Sequence, residues 1–198
     1  MTLTELRAAV YSITNRPDLV GNTFLGIQFA TLQAHHSDYY YKDLYETSLI
    51  FDSAAYLQQF AYKELLPRWR SLKYLRKLDA SATPAVPGKF FTVLTPDNIL
   101  DSYAIHREDV CYVAGTILQI RSSTEIEHAL MGCYLNPNIV EATYNSWIAE
   151  EYPFAIVFEA AAFIFKSIGK LEEMSAHKQL AAIQLTLLQN NNIVAEGE

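Results

Sequence analysis

The chain has 198 residues, 51% of them hydrophobic and 19% charged, with a formal net charge of −7. Such a composition fits a globular protein with a sizeable core. The acidity argues against a dedicated duplex-DNA binder, which carries a strong basic excess. Cys111 and Cys133 stand alone, with no CxxC and no Cys/His ligand spacing. They read as two reduced thiols in a cytosolic compartment. The start, MTLTELRAAV, has neither the cationic head nor the apolar core of a signal peptide.

The first element is a helix announced by a capping box, in which Thr2 and Glu5 exchange hydrogen bonds ahead of Leu3, Leu6, Val10 and Ile13 at helical spacing. Asn15-Arg16-Pro17-Asp18 breaks it and starts a second helix to His36, with Val20, Phe24, Ile27 and Thr31 on one side. The two form an N-terminal hairpin, residues 1–36. From 37 to 137 the pattern favours strands. DLYETSLIF and RSLKYLRKL are strand candidates, with Leu57–Trp69 ambiguous between them. ASATPAVPG is a loop, and TPDNILDSY a short helix opened by Thr95 and Pro96. The stretch from Asp109 to Pro137 reads as a three-strand meander, with turns at Ala114-Gly115 and Ser122-Ser123-Thr124.

After Pro137 the chain returns to helix, and residues 138–189 form a C-terminal hairpin. Its first helix is YPFAIVFEAAAFIFKSIG. This run is shorter than the roughly 20 apolar residues that cross a bilayer and is interrupted by Glu159, so it is a buried helix and implies no membrane partner. At about 100° per residue, Val157, Ala161, Ile164 and Ile168 make one face and Phe154, Phe158 and Phe165 a second. Only Ala155, Glu159, Ala162 and Lys166 are left for a polar stripe. So wide an apolar arc predicts several neighbours, within the chain or in an adjacent subunit. The return helix LEEMSAHKQLAAIQLTLL is amphipathic, and the polar tail 190–198 is expected to be disordered alone. Together these features predict a mainly helical α+β domain over 1–198: a bundle of N- and C-terminal hairpins with a β-rich insertion.

Few residues suggest chemistry. His35 and His36, with Asp38, point roughly 100° apart on a helix and do not share a metal; they read as polar residues at a helix C-terminus. Glu159, Glu173 and His177 give an incomplete di-iron pattern. No phosphate loop, nucleophile elbow or zinc signature is present. The sequence therefore carries no catalytic residue, no metal ligand and no cofactor. One segment, KELLPRWRSLKYLRK, interleaves Arg68, Arg70, Lys73 and Arg76 with Trp69. It can track a nucleic-acid backbone by stacking, meet an acidic partner, or be the solvated face of a strand.

The order of motifs in the C-terminal half is more specific. CYVAGTILQI, LMGCYLNP, SWIAEEYPFAIVFEAAAFIF and LEEMSAHKQLAAIQLTLL follow one another. This order resembles the head–tail adaptor, or connector, proteins of tailed bacteriophages, closest to those of short-tailed phages. Tyr134-Leu135-Asn136-Pro137 stands where the family has its strand end, and Trp147 and Tyr152-Pro153 where its C-terminal hairpin opens. Glu159 departs from the small or apolar residue expected there. The resemblance implies a non-enzymatic virion protein at the neck, assembled in the bacterial host cytoplasm. It implies a homo-oligomeric ring, a dodecamer, that docks beneath the portal protein, continues the channel for genomic DNA without binding it specifically, and offers a platform to tail nozzle, tail tube or fibre proteins. In that frame Asn190, Asn191, Asn192, Ile193 and Val194 contact the portal, and Phe154, Val157, Phe158, Ile164 and Phe165 pack the bundle or its subunit contacts. The alternatives are a tail-tube or head-closure subunit, or a helical metalloenzyme.

Overall fold

The two ends of the chain, Met1–Asp43 and Asn136–Glu198, share one helical unit, and Leu44–Leu135 forms a second unit of sheet. A computed structural model describes residues 1–79, 86–100 and 105–196. In chain order its helices and strands are α1 (Leu3–Thr14), α2 (Val20–His36), β1 (Leu44–Phe60), α3 (Tyr62–Leu65), β2 (Trp69–Asp79), β3 (Val86–Phe90), β4 (Thr92–Val93), β5 (Val110–Ala114), β6 (Ile117–Leu135), α4 (Trp147–Glu151), α5 (Pro153–Ser167) and α6 (Leu171–Glu196).

In the helical unit, α1 starts as its sequence dictates. Thr2 Oγ1 accepts from the Glu5 amide, and the Glu5 carboxylate accepts from the Thr2 amide at 2.7 Å. Asn15 ends the helix in the left-handed region, at φ 52°. Leu6 and Val10 of α1, Ile27 and Ala30 of α2, Ile156, Val157, Ala160 and Ile164 of α5, and Leu188 of α6 share one core. The common partner is α5, against which α1, α2 and α6 all pack. The expected N-terminal hairpin is thus two helices laid on α5 more than on each other. The predicted polar stripe of α5 is also different from expectation. Ala155 and Ala162 are buried, and Glu159 is only 8% exposed, whereas Phe154 is 45% exposed. Val157, Ile164 and Phe165 are buried as expected, and Phe158 is half-buried.

The sheet unit has six strands in the order β3-β2-β6-β5-β4, with β1 paired to β6 beside that path. The β4–β5 pairing is parallel and the others antiparallel. The sheet curls into a half-barrel over its own core, which includes Leu49, Leu75, Leu118, Ile120, Ile126, Met131 and both cysteines. Burial pushes the Cys111 thiol up to about 12 and that of Cys133 up to about 11, so both are held as unreactive thiols.

This corrects the predicted architecture: the molecule is not a helical bundle carrying a β-rich insertion, because the middle of the chain is a mixed sheet with a separate core. The predicted meander is also two strands. The chain does turn at Ala114-Gly115, where Gly115 has φ 63°. At Ser122-Ser123-Thr124 it runs straight on, and β6 continues from Ile117 to Leu135. The reason is local. Asp109 accepts from the Ser123 amide and hydroxyl, each at 2.9 Å, so the polar run is satisfied along the strand without a reversal. The ambiguous stretch resolves into the end of β1, the single turn α3 and the start of β2. Of the Pro/Ala/Gly loop, 80–85 lie outside the described residues and Val86–Gly88 belong to β3. The short helix after Thr95 is one 3-10 turn, Pro96–Asn98, and residues 101–103 of the expected helix lie outside the described residues.

Gly132 sits in β6 opposite Tyr74 of β2. A Cβ there would lie 2.4 Å from Tyr74 Cε1. The ring cannot swing aside freely, because its hydroxyl donates to Glu46 and its edge meets Phe90 with centroids 5.8 Å apart. Gly132→Ala is therefore expected to destabilise the sheet by about 1–3 kcal/mol. Adding Tyr74→Ala should remove most of the further loss due to the alanine, as a double-mutant cycle by chemical denaturation will measure.

The acidic group that holds β6 straight gives a pH signature. Hydrogen bonds from the Ser123 backbone and then its hydroxyl hold the Asp109 carboxyl below its usual range. A carboxylate whose folded pKa is depressed contributes stability that is present above its unfolded value and lost as the pH falls through the folded value. The ordinary value of an aspartate carboxyl is 3.8, so the loss begins as the pH drops below it. Asp109→Asn tolerates the same φ of 53° and should show a smaller acid-induced drop in melting temperature over that window.

Candidate interaction surfaces

Three regions singled out in the sequence occupy definite places. The basic segment runs from α3 into β2, and its residues from Arg68 onward lie on β2 and the position before it. Irregularities between Trp69 and Ser71 and between Leu72 and Tyr74 break the simple alternation. Trp69, Leu72 and Leu75 consequently all meet the sheet core. Trp69 stacks on Tyr62 with centroids 4.4 Å apart, so it is a packing residue and not a free platform for a base. Arg76 lies over Phe90 at 4.3 Å, and Lys73 over Tyr134 at 5.7 Å. Lys77 donates to Thr124 Oγ1 at 2.7 Å. Arg68, Arg70 and Lys73 each have interactions of their own as well. Lys73, Arg76 and Lys77 thus have partners within the sheet, while Arg68 and Lys73 remain exposed.

The tail does not depart from the helical unit as an unfolded segment. α6 runs on through Asn190 and Asn191 to Glu196. Extending an existing helix adds one hydrogen bond per residue without a new nucleation cost, and polar side chains tether it: Gln189 donates to the Ser37 carbonyl at 3.1 Å and Asn191 to the Tyr152 hydroxyl at 2.6 Å. The expected disorder from Asn190 onward is therefore corrected for 190–196. The side chains of Asn192, Ile193 and Val194 lie outside the described residues.

The apolar packing residues divide between core and surface. Val157, Ile164 and Phe165 are core. Phe158 and Phe165 hold the ring of His177 from α6, with centroids 6.2 and 4.9 Å away, and Phe154 leans on Phe158 at 5.5 Å with its outer side in solvent. Other apolar side chains stand exposed on this unit, among them Leu25 and Phe29 of α2 and Leu180, Ile183 and Leu187 of α6.

One buried constellation was missed in the sequence. His35 Nδ1 bonds the Asp43 carboxylate at 2.8 Å, His35 Nε2 meets Ser146 Oγ at 2.9 Å, and the Trp147 indole N–H donates to Asp43 at 2.8 Å. The Trp147 ring packs edge-on against His35 and Tyr40. Lys42 lies over that indole and pairs with Glu151. His35 thus lies in the last turn of α2, as expected, and is buried and paired with Asp43. His36 instead meets Asn136 at 2.7 Å. Beside them Thr31 and the Tyr144 hydroxyl are 2.7 Å apart, and burial raises the Tyr144 phenol above its ordinary value.

Ser146, His35 and Asp43 follow the hydrogen-bond order of a hydrolytic triad. Their surroundings suit a different task. Ser146 is the N-cap of α4, its Oγ accepting from the Ala149 amide at 3.2 Å, and it is 4% exposed. Its hydroxyl is committed on both sides, so it ties the end of α2, the turn at Asp43 and the start of α4 into one buried polar knot. The one sequence signal was Ser146 ahead of Trp147-Ile148-Ala149-Glu150, an N-cap pattern. Among the described residues no three His, Cys, Asp or Glu side chains gather into a metal site, and no helix is long and apolar enough to cross a membrane.

No protein-family model matches this sequence, and no curated protein matches it.

Asp43→Ala removes the acceptor of the Trp147 indole and the carboxylate facing His35. Each orphaned donor costs about 1–3 kcal/mol, so the helical unit should melt markedly earlier in calorimetry. Ser146→Ala should cost about 1 kcal/mol through the lost cap and leave any esterase background unchanged in a chromogenic ester assay.

Proposed function

We propose that the chain is a structural subunit of a phage neck: a head–tail adaptor that forms a ring beneath the portal, extends the DNA channel and receives tail components. What carries the proposal is the apolar surface that the helical unit presents to solvent, on Leu25, Phe29, Leu180, Ile183 and Leu187, joined to the C-terminal order of motifs that resembles the adaptor family. A chain with this much half-exposed aliphatic and aromatic surface on two helices is suited to being covered in an assembly. The net charge of −7 suits a wall along which DNA passes without sticking.

In this role the end of α6, with Asn190–Val194, reaches the portal. One copy binds weakly, and a ring presents many copies at once. Arg68, Arg70, Lys73 and Arg76 remain the exposed or partly exposed basic residues through which an acidic neighbour or the passing backbone is met. Truncation after Leu188 keeps the last buried residue among the described side chains of α6 and should leave a folded protein that no longer holds to the cognate portal in co-sedimentation. Electron micrographs of the full chain with that portal test the role directly. A closed ring in register with the portal is expected. A ring or tube whose symmetry does not match it points to a tail-tube subunit, and absence of any portal association sinks the adaptor role.

A further inference from the structure

Three strands of the sheet unit pair on one side only: β1, β3 and β4. They are not alike. β3 is five residues long and contains Pro87, Gly88 and Lys89, and β4 is two residues long. Short length, proline and lysine are how natural sheets keep an edge from pairing with another chain. β1 has none of these. It runs for 17 residues without a proline, glycine, lysine or arginine. It pairs with β6 alone, and among the described residues no other backbone bonds to it.

From Leu44 to Ile50 the pairing runs residue by residue against Tyr134 to His128, and beyond Ile50 the register is irregular. The regular stretch spans about 23 Å. In an antiparallel pair, alternate residues turn their amide and carbonyl away from the partner strand. This stretch therefore presents a row of donors and acceptors along its free side. Its side chains also lack a neighbour there. Leu49 meets the sheet core, while Ile50, on the opposite face, is 73% exposed, the most of any large apolar side chain among the described residues. The only charges on the strand are Glu46 and Asp52, both exposed. Glu46 accepts from the Tyr74 hydroxyl, which leaves most of the acceptor capacity of a carboxylate open.

We infer that the free edge of β1, from Leu44 to Ile50, takes an extended basic segment of another protein as an added strand. The backbone selects the form of the occupant, because a row of alternating donors and acceptors is matched by another strand. The side chains select its charge. Opposite charges across a strand pair stabilise it and like charges destabilise it, and the ions beside this edge are both acids. The same rule disfavours a second copy. β4 is too short to serve, β3 carries Pro87, and β1 against β1 in the antiparallel register centred on Leu49 sets Glu46 opposite Asp52. The inference does not rest on the neck role.

The probe is a blocked synthetic peptide of alternating valine and lysine, about eight residues long to match the regular stretch. Added as a strand, it sets its lysines on the face of Glu46 and its valines on the face of Leu49. Titrated into the full chain and followed by NMR, it should bind saturably and slow the exchange of alternate amides between Leu44 and Ile50. A valine–glutamate peptide keeps the strand propensity and reverses the charge. A proline–lysine peptide keeps the charge and lacks half of the donors. Each should bind at least tenfold more weakly. Thr47→Pro and Ser48→Pro complete the test, because adjacent amides of a strand face opposite edges. One variant removes a donor from the pairing with β6 and should be destabilised. The other removes a donor from the free edge, and should stay folded and bind the valine–lysine peptide at least tenfold more weakly. No saturable binding up to about 1 mM, binding that leaves the β1 amides unprotected, or equal binding of the glutamate or proline peptide overturns the inference. So does a folded proline variant at each position that binds as the wild type does. A dimer of the chain that protects the same amides overturns the assignment to another protein.

Discussion

Burial of α5 is the constraint on which the helical unit depends. From Ala155 to Phe165 nearly every side chain of this helix is buried, and the buried set runs most of the way round its axis. A helix of that kind is stable only when other helices surround it. The chain supplies them from both of its ends: α1 and α2 come from the first residues, α6 from the last. The N-terminal helices are therefore held by contacts that span most of the sequence, and everything between Asp43 and Asn136 is left to fold around a core of its own.

The polar knot of His35, Asp43, Ser146 and Trp147 stands where the chain leaves the helical unit and where it has returned. Asp43 is the last residue before the sheet unit, and Ser146 begins α4 shortly after it. Buried polar groups must be satisfied or they destabilise, and here each serves its neighbour: the carboxylate receives an imidazole and an indole, and the hydroxyl bridges an imidazole and a helix amide. The geometry resembles catalytic machinery in its connectivity because one imidazole between a carboxylate and a hydroxyl has few ways to be satisfied. What differs is access, since the hydroxyl is capped by a helix and enclosed. Its consequence is positional: the turn at Asp43 and the start of α4 are fixed with respect to the end of α2.

The sheet unit shows the same economy of a different kind. β6 is the spine, paired with β1 along both of its halves, with β5 at its start and with β2 towards its end. Close approach at Gly132 admits the Tyr74 ring, and irregular register in β2 turns Trp69, Leu72 and Leu75 inward together. Lys73 and Arg76 then gain aromatic partners within the sheet, Tyr134 and Phe90. A segment with the composition of a nucleic-acid groove thereby finds partners within its own sheet for Lys73, Arg76 and Lys77, and in the helical unit apolar side chains of α2 and α6 stand exposed.

The sequence by itself determined the local elements whose cause is local. The capping box placed α1, Pro153 and Gly169 bounded α5, and β-rich runs marked β1, β2 and β5. The burial of Val157, Ile164 and Phe165 was legible because periodicity alone fixes a helix face. Only the tertiary structure decided the rest. Ser122-Ser123-Thr124 has the composition of a turn, and becomes strand because Asp109, from outside the run, takes up its hydrogen bonds. Asn190 to Glu196 lacks an apolar period, and stays helical as the continuation of a helix already formed. Glu159 and its two alanines looked like a polar stripe, and are buried because the neighbours of α5 come from both ends of the chain. His35 found Asp43 and Ser146 through a turn and a strand excursion that no spacing rule encodes. In each case the deciding partner is distant in sequence or follows from an element already built, and local propensity, worth only tenths of a kcal/mol per residue, yields to it.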